Sequence, residues 1–330
     1  MENRLFGKTS LRVSVVGFGA WGIGGPAMAG STPIGWGTVD DETSIRALET
    51  AFERGITFYD TADFYGLGHS EDLIGKTFGS RPNVVIATKV GHRLNNDGTI
   101  ALDYSRQHII TACERSLKRL RRDWIDYYQL HSARVEHLEQ GECIEAMENL
   151  KANGKIRFWG LSLNTFHPEP EADALMAMGA GDGFQLVLNI INQRAVPLLA
   201  QAAAKGYGII ARMPLQFGLL SGKFSRTTSF SPDDHRAFRL TPAILEQSLP
   251  ALETIWPVAD RLRITKACLA LSYCASIPEV STVISGIKTP EQAIENSGPL
   301  LQLSDADRSL LRSFVERAGA EILALMETQG

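Results

Sequence analysis

Phe58-Tyr59-Asp60-Thr61-Ala62-Asp63-Phe64-Tyr65-Gly66 starts as a short buried strand and breaks at once into a polar, glycine-terminated turn. The same transition recurs at Ala87-Thr88-Lys89, at Gln129-Leu130-His131 and at Gly160-Leu161-Ser162-Leu163-Asn164. Strands covered on both faces read as unbroken apolar, β-branched or aromatic runs, without alternation. Runs of this kind lie near 13–17, 56–60, 83–89, 124–131, 155–161, 183–189, 206–212 and 281–285. Helical signals separate them. Ile45, Leu48 and Phe52 share a face that ends at Gly55, and Ser70 reads as the cap of a segment carrying Leu73, Ile74 and Phe78. Ser105 precedes Ile109, Cys113, Leu117 and Leu120, while Ile144, Met147 and Leu150 lead to Gly154. Thr289-Pro290-Glu291-Gln292 has the form of a capping box with proline at the first helical position.

Alternating strand and helix units imply a parallel sheet with right-handed crossovers, and eight of them close a (β/α)8 TIM barrel. The whole chain, 1–330, reads as one such domain. Residues 4–12 predict a β-hairpin plugging the barrel's bottom. Residues 22–40 and 213–241 predict long loops after the first and seventh strands, and an extra C-terminal helix follows 303. Loops that long inside a compact domain are usually functional. Polar residues at the carboxyl ends of successive strands open onto one face, where barrels of this kind hold their active sites.

The totals exclude several classes. A balance of 33 Lys+Arg against 37 Asp+Glu, with no basic patch, argues against a nucleic-acid partner. The chain shows neither an apolar run of membrane-spanning length nor a signal-peptide start, so a cytoplasmic protein is expected. Cys113, Cys143, Cys268 and Cys274 lack metal-site spacing and read as reduced, buried thiols. Gly17-Phe18-Gly19-Ala20-Trp21-Gly22 matches a dinucleotide fingerprint, but that motif needs a helix opening inside the glycine run. Ile-Gly-Gly-Pro-Ala-Met-Ala-Gly follows instead, so a glycine-rich first barrel loop is the better reading.

Asp60, Tyr65, Lys89 and His131 form the catalytic constellation. A tyrosine is a poor acid near neutrality, with an ordinary pKa of about 10, and a neighbouring ammonium favours its phenolate. Lys89 can supply that charge, Asp60 can hold Lys89 protonated, and His131 can hydrogen-bond a carbonyl oxygen. Each residue taken singly has a structural explanation as a turn former, packing ring, solvated amine or core imidazole. Four of them at the ends of strands two, three and four favour chemistry.

These motifs resemble those of the aldo-keto reductase superfamily. The likeness extends over Tyr59-Asp60-Thr61-Ala62-x-x-Tyr65-Gly66, Gly68-His69-Ser70-Glu71-x-x-Ile74-Gly75, Thr88-Lys89, Leu130-His131 and Gly160-x-Ser162-x-Asn164. It continues through Pro214-Leu215-x-x-Gly218-Leu219-Leu220-x-Gly222-Lys223 and Glu295-Asn296. The resemblance implies reversible, metal-free, NAD(P)H-dependent reduction of an aldehyde or ketone. Tyr65 would be the general acid, Asp60 and Lys89 its tuning pair, and His131 the carbonyl-orienting group. Ser162, Asn164 and Gln185 match groups around the nicotinamide carboxamide, although the first two could equally cap the next helix. Gly19, Ala20 and Trp21 match the first-loop segment beside the ring. Met213, Pro214 and Leu215 match the segment along the cofactor, with Gly218, Ser221 and Lys223 in a clasp over the pyrophosphate. Gly286, Lys288, Gln292 and Asn296 match the adenosine end, where Lys288 favours NADPH, with NADH possible.

The chain departs from the family pattern at several positions. Arg212 and Met213 stand where many relatives carry an aromatic ring followed by serine, so Arg212 either stacks through its guanidinium or reaches a phosphate. Ser285 replaces a proline, and Gln292 replaces an arginine used by some relatives. Two alternatives accompany the reading: a sugar or polyol dehydrogenase working oxidatively with NAD, and a cofactor-binding β-subunit of the potassium-channel type. Trp21, Trp36, Phe64, His92, Arg93, Phe217 and the 224–240 stretch are candidate walls of a small-molecule pocket. Oligomeric state stays open.

Overall fold

The computed structural model describes residues 1–329. Eight parallel strands close a barrel in chain order: β1 (Val16–Gly19), β2 (Phe58–Asp60), β3 (Val85–Val90), β4 (Ile125–His131), β5 (Ile156–Ser162), β6 (Gly183–Val187), β7 (Gly208–Arg212) and β8 (Thr282–Gly286). β8 returns to pair with β1. The sequence predicts every one of these strands to within a few residues, with one substantive error. The run 13–17 spans two elements, because Arg12–Ser14 pairs antiparallel with Asn3–Leu5 and the barrel strand begins only at Val16. A continuous apolar run carries no mark of where one strand hands over to the next.

Side chains alternate between the barrel's axis and its helical coat. Phe58, Ala87, Tyr127, Ile210 and Ile284 fill the interior together with Phe6, Leu11 and Val13 from the hairpin. Phe6 is fully buried, edge-on to Tyr127 with centroids 4.8 Å apart, and so closes the bottom. Packing this tight explains Gly160, where an added Cβ would lie 2.0 Å from the Tyr127 hydroxyl. The opposite faces of the strands, including Tyr59, Ile86, Tyr128, Trp159 and Phe184, pack against the helices. Above the apolar layer, the same inward rows continue as Asp60, Lys89, Gln129, Ser162, Gln185 and Arg212.

Most helix starts follow their sequence signals; Ser105, for instance, accepts from the His108 amide. Ser70 does not cap. The helix His69–Thr77 begins at His69, and Ser70 Oγ instead donates to Ala20 O while accepting from Thr61 Oγ1. It therefore ties β1 to the turn after β2. Thr289 does cap Pro290–Asn296, but Gln292 accepts from the Lys288 amide, so the reciprocal arm of the box is displaced by one residue. No helix opens in the glycine run after β1: Gly22–Gly24 is a single 3-10 turn and the first α-helix begins at Asp41.

The first long loop carries a small hairpin, Met28–Ala29 with Thr32–Pro33. A second hairpin, His92–Leu94 with Ile100–Leu102, follows β3 and was not expected. The C-terminal segment forms helices Asp305–Arg312 and Ala320–Glu327. Leu310 points to solvent, and Leu311, Phe314 and Ile322 bury the face assigned to it. Met326 reaches the barrel mouth, where its Sδ accepts from Gln216 Nε2 at 3.1 Å. Among the described residues no helix is long and apolar enough to cross a membrane.

Removing the plug's anchor tests its contribution. Phe6→Ala should cost about 3–5 kcal/mol, the usual range for deleting a buried phenylalanine. Urea unfolding would measure it, and a loss below about 1 kcal/mol would mean that the hairpin merely lies against the barrel.

Candidate active site

The parallel register assembles the site. Gly19 sits beside Asp60, Asp60 beside Ala87, Lys89 beside Gln129, and His131 beside Ser162, which pairs with Gln185. Residues of like parity therefore share the inward face. Lys89, which has no exposed surface, donates to Asp60 Oδ2 at 2.6 Å, to Thr61 O at 2.8 Å and to the Tyr65 hydroxyl at 3.2 Å. Its three ammonium hydrogens are thus all engaged. Burial alone would lower the Lys89 pKa, but the charges of Asp60 and Tyr65 outweigh it and raise it above 10.5.

Asp60 is itself supported from across the barrel. Gln185 Nε2 donates to Asp60 Oδ1 at 2.7 Å, Gln129 Nε2 donates to the same oxygen at 3.1 Å, and the two amides touch at 3.2 Å. Gln129 was missed from sequence. The available signal was a long polar side chain two residues before His131, on the same inward row. Tyr65 reaches the axis because the turn after β2 folds back sharply. Gly66 adopts a positive φ of 60°, and a Cβ there would lie 1.9 Å from Gly24 O. Trp21 stacks on the Tyr65 ring with centroids 5.8 Å apart.

His131 stands edge-on to Tyr65, with ring centroids 6.0 Å apart. Its Nδ1 lies 3.1 Å from Nδ1 of His92, and its carbonyl accepts from the Tyr104 hydroxyl at 2.5 Å. Burial, reinforced by His92, Lys89 and Arg212, pushes the His131 pKa well below 6.5. Burial and Lys89 push His92 down to about 4. Both shifts favour the neutral rings.

A cavity of about 770 Å³ opens at these residues. Gly19, Trp21, Asp60, Tyr65, His131, Ser162 and Gln185 line it, together with Arg212, Met213, Pro214 and Leu215. Gly218, Ser221, Lys223, Gly286, Lys288, Gln292 and Asn296 line it too. Two of the expected contacts lie outside this lining. Ala20 is buried with its carbonyl on Ser70, and Asn164 turns its Oδ1 back to the amides of Phe166 and His167. Trp36, Phe64, His92 and Phe217 line the cavity, whereas Arg93 points outward beside Asp103.

The comparisons with known proteins agree with this architecture. The model of the aldo/keto reductase family matches residues 15–316. The chain belongs to that family. It is 30% identical over 323 residues to L-galactose dehydrogenase of Arabidopsis thaliana, covering 92% of this chain and 89% of that one. It is 29% identical over 322 residues to a probable voltage-gated potassium channel subunit beta of the same plant, covering 90% of each. Among solved structures, a glycerol dehydrogenase from Gluconobacter oxydans aligns with a TM-score of 0.78 at 25% identity, over 96% of this chain and 95% of that chain. The protein is thus an oxidoreductase of the aldo-keto reductase family, whose members use nicotinamide cofactors and act on small molecules.

In this aldo-keto reductase the two long loops meet over the cavity. Trp36 forms a β-bridge with Asp234, the His235 amide donates to Gly35 O, and His235 Nδ1 lies 3.1 Å from Pro33 O. Trp21 Nε1 donates to Ile34 O beneath them. Lys288 joins this roof, its ammonium donating to Trp36 O at 2.9 Å. Burial, with Arg236 adding and Asp234 opposing, lowers the Lys288 pKa. Nearer the rim, Lys223 pairs with Glu295 at 2.7 Å, joining the loop after β7 to the helix after β8.

Breaking the buried pair should be costly. Asp60→Asn should lose about 3–5 kcal/mol in urea unfolding, because Lys89 would keep a buried charge without its counterion. Lys89 has a raised folded-state pKa, so its contribution is full below 10.5 and is lost as pH rises beyond that value. In the variant, burial would hold the Lys89 pKa down, so the deficit should shrink as pH rises toward 10.5, a range over which the unaltered chain keeps the pair's full contribution. Equal stability and equal alkaline behaviour would show that the pair contributes nothing.

Proposed function

We propose that this protein reduces an aldehyde or ketone to an alcohol with NADPH. The observation that carries the reading is the buried Lys89 ammonium held between the Asp60 carboxylate at 2.6 Å and the Tyr65 hydroxyl at 3.2 Å. A bound reduced nicotinamide supplies the hydride. Tyr65 gives its proton to the developing alkoxide, and Lys89 stabilises the tyrosinate left behind. Asp60, fixed by Gln129 and Gln185, keeps Lys89 charged and in place. Neutral His131 donates from Nε2 to the carbonyl oxygen and sets its angle. Stacked on Trp21, the tyrosine ring has little freedom to leave this arrangement.

The cavity's chemistry suits the cofactor. Ser162 and Gln185 offer amide and hydroxyl groups, and Gly19 and Trp21 a flat wall. Met213, Pro214 and Leu215 give the cavity a largely apolar side, and the Gly218–Lys223 turn would hold the pyrophosphate. Arg212 Nε is buried with no partner among the described residues, while its Nη2 is tied to Leu163 O and Thr165 Oγ1. Gly286, Lys288, Gln292 and Asn296 would receive the adenosine end. Lys288 would exchange its bond to Trp36 O for a 2′-phosphate, a stronger, charge-assisted partner.

A second reading uses the same groups in reverse, with tyrosinate removing a proton from an alcohol. The names of two relatives, L-galactose dehydrogenase and glycerol dehydrogenase, favour a sugar or polyol as substrate in that direction. A third relative is named as a potassium channel subunit, so measurable turnover separates an enzyme from a cofactor-binding subunit. The deciding assay follows NADPH oxidation and NAD(P)+ reduction across aldoses, polyols, aliphatic aldehydes and aromatic aldehydes.

Tyr65→Phe should retain cofactor affinity by fluorescence titration while losing reduction by about 10² or more; near-normal turnover would remove Tyr65 from the role. Lys288→Ala should weaken NADPH far more than NADH in the same titration, and an equal loss for both would refute the 2′-phosphate contact.

A further inference from the structure

We propose that His92 is a positioning residue that fixes the tautomer of His131, an inference that rests on the carbonyl-reducing reading above. The two Nδ1 atoms face each other at 3.1 Å, with ring centroids 4.2 Å apart. A hydrogen bond between them needs one proton and no more. If both nitrogens carried hydrogen they would repel, and if neither did, two buried lone pairs would oppose each other. The pair therefore has two neutral states. In one, His92 donates from Nδ1 and His131 is bare at Nδ1, which leaves its hydrogen on Nε2. In the other, the roles exchange and His131 Nε2 is a bare acceptor.

Only the first state can serve a carbonyl oxygen, which accepts hydrogen bonds and cannot donate one. His131 lines the cavity, and among the described residues no side chain or backbone group bonds to its Nε2. Its main chain is held by the Tyr104 hydroxyl, which donates to the His131 carbonyl. His92 is placed by the first residue of the hairpin after β3 and packs against Phe64 at 5.4 Å, so its own ring is restrained. Lys89, three residues before His92, offers no proton to this pair, because its three hydrogens are taken by Asp60, Thr61 and Tyr65. Among the described residues His92 is thus the one hydrogen-bond partner of the His131 ring.

The test has two readouts. Histidine-selective 15N labelling of the full chain, with the His131 signals assigned by a His131→Gln variant, should show Nε2 protonated and Nδ1 bare. His92→Leu removes the donor. It should mix the two tautomers and lower kcat for carbonyl reduction about tenfold or more, with KM changed less than about threefold. His92→Asn places an amide donor near the Nδ1 position and should restore both the tautomer and kcat to within about threefold. A protonated Nδ1 on His131 in the unaltered chain overturns the proposal. So does a His92→Leu variant that raises KM with kcat intact, since His92 would then be touching substrate, or an Asn variant as impaired as Leu. The resonances of the unaltered chain decide the tautomer without requiring any His92 variant to fold. Absence of turnover on every carbonyl, with Nε2 found protonated, would overturn the reductase reading and leave the histidine pair standing.

Discussion

A lysine with no exposed surface has to be paid for, and the architecture around Lys89 is organised by that requirement. Removing an ammonium from water costs several kcal/mol even after relaxation, and only close, well-directed acceptors offset it. Asp60, Thr61 O and Tyr65 occupy the three available directions. The carboxylate is in turn buried, and two glutamine amides on β4 and β6 satisfy its second oxygen. A charge placed at one strand end thus determines which polar side chains four separate strands present to the axis. The same desolvation makes the electrostatic coupling between amine and phenol stronger than it would be in water.

The barrel's register makes this possible. Parallel strands staggered around a closed sheet bring inward residues from neighbours to a common height, so the interior is layered. The lower layer is apolar and sealed by Phe6; the upper layer is polar and open to the mouth. Burial of Asp60, Lys89, Gln129 and Gln185 in the upper layer is tolerated because these four partner one another there. The lower layer supplies the packing that keeps the strand ends from shifting.

Over this fixed base lies a roof made from two loops remote in sequence. The bridge between Trp36 and Asp234 and the bonds from His235 to Gly35 and Pro33 join the loop after β1 to that after β7. Lys288 adds a third tie from the segment after β8. Rings from Trp21, Trp36, Phe217 and His235 pack together under the roof, with Trp21 at the centre of the cluster.

By itself the sequence determined the number and order of the strands, the barrel, and the four residues that meet at its mouth. Buried runs ending in Asp60, Lys89 and His131 were legible because both the pattern and the chemistry are local in the chain. It could not show that the run 13–17 divides between two elements, that Ser70 stitches strands instead of capping a helix, or that Asn164 folds back on its own turn. Each of those depends on which groups compete for a hydrogen-bond donor or acceptor, and such competition is settled between segments far apart in sequence. Gln129 and Gln185 as supports of Asp60, His92 facing His131, and Lys288 on Trp36 O arise only when the closed sheet sets distances across its axis and mouth. Periodicity specifies which way a side chain points; closure of the barrel specifies what it meets.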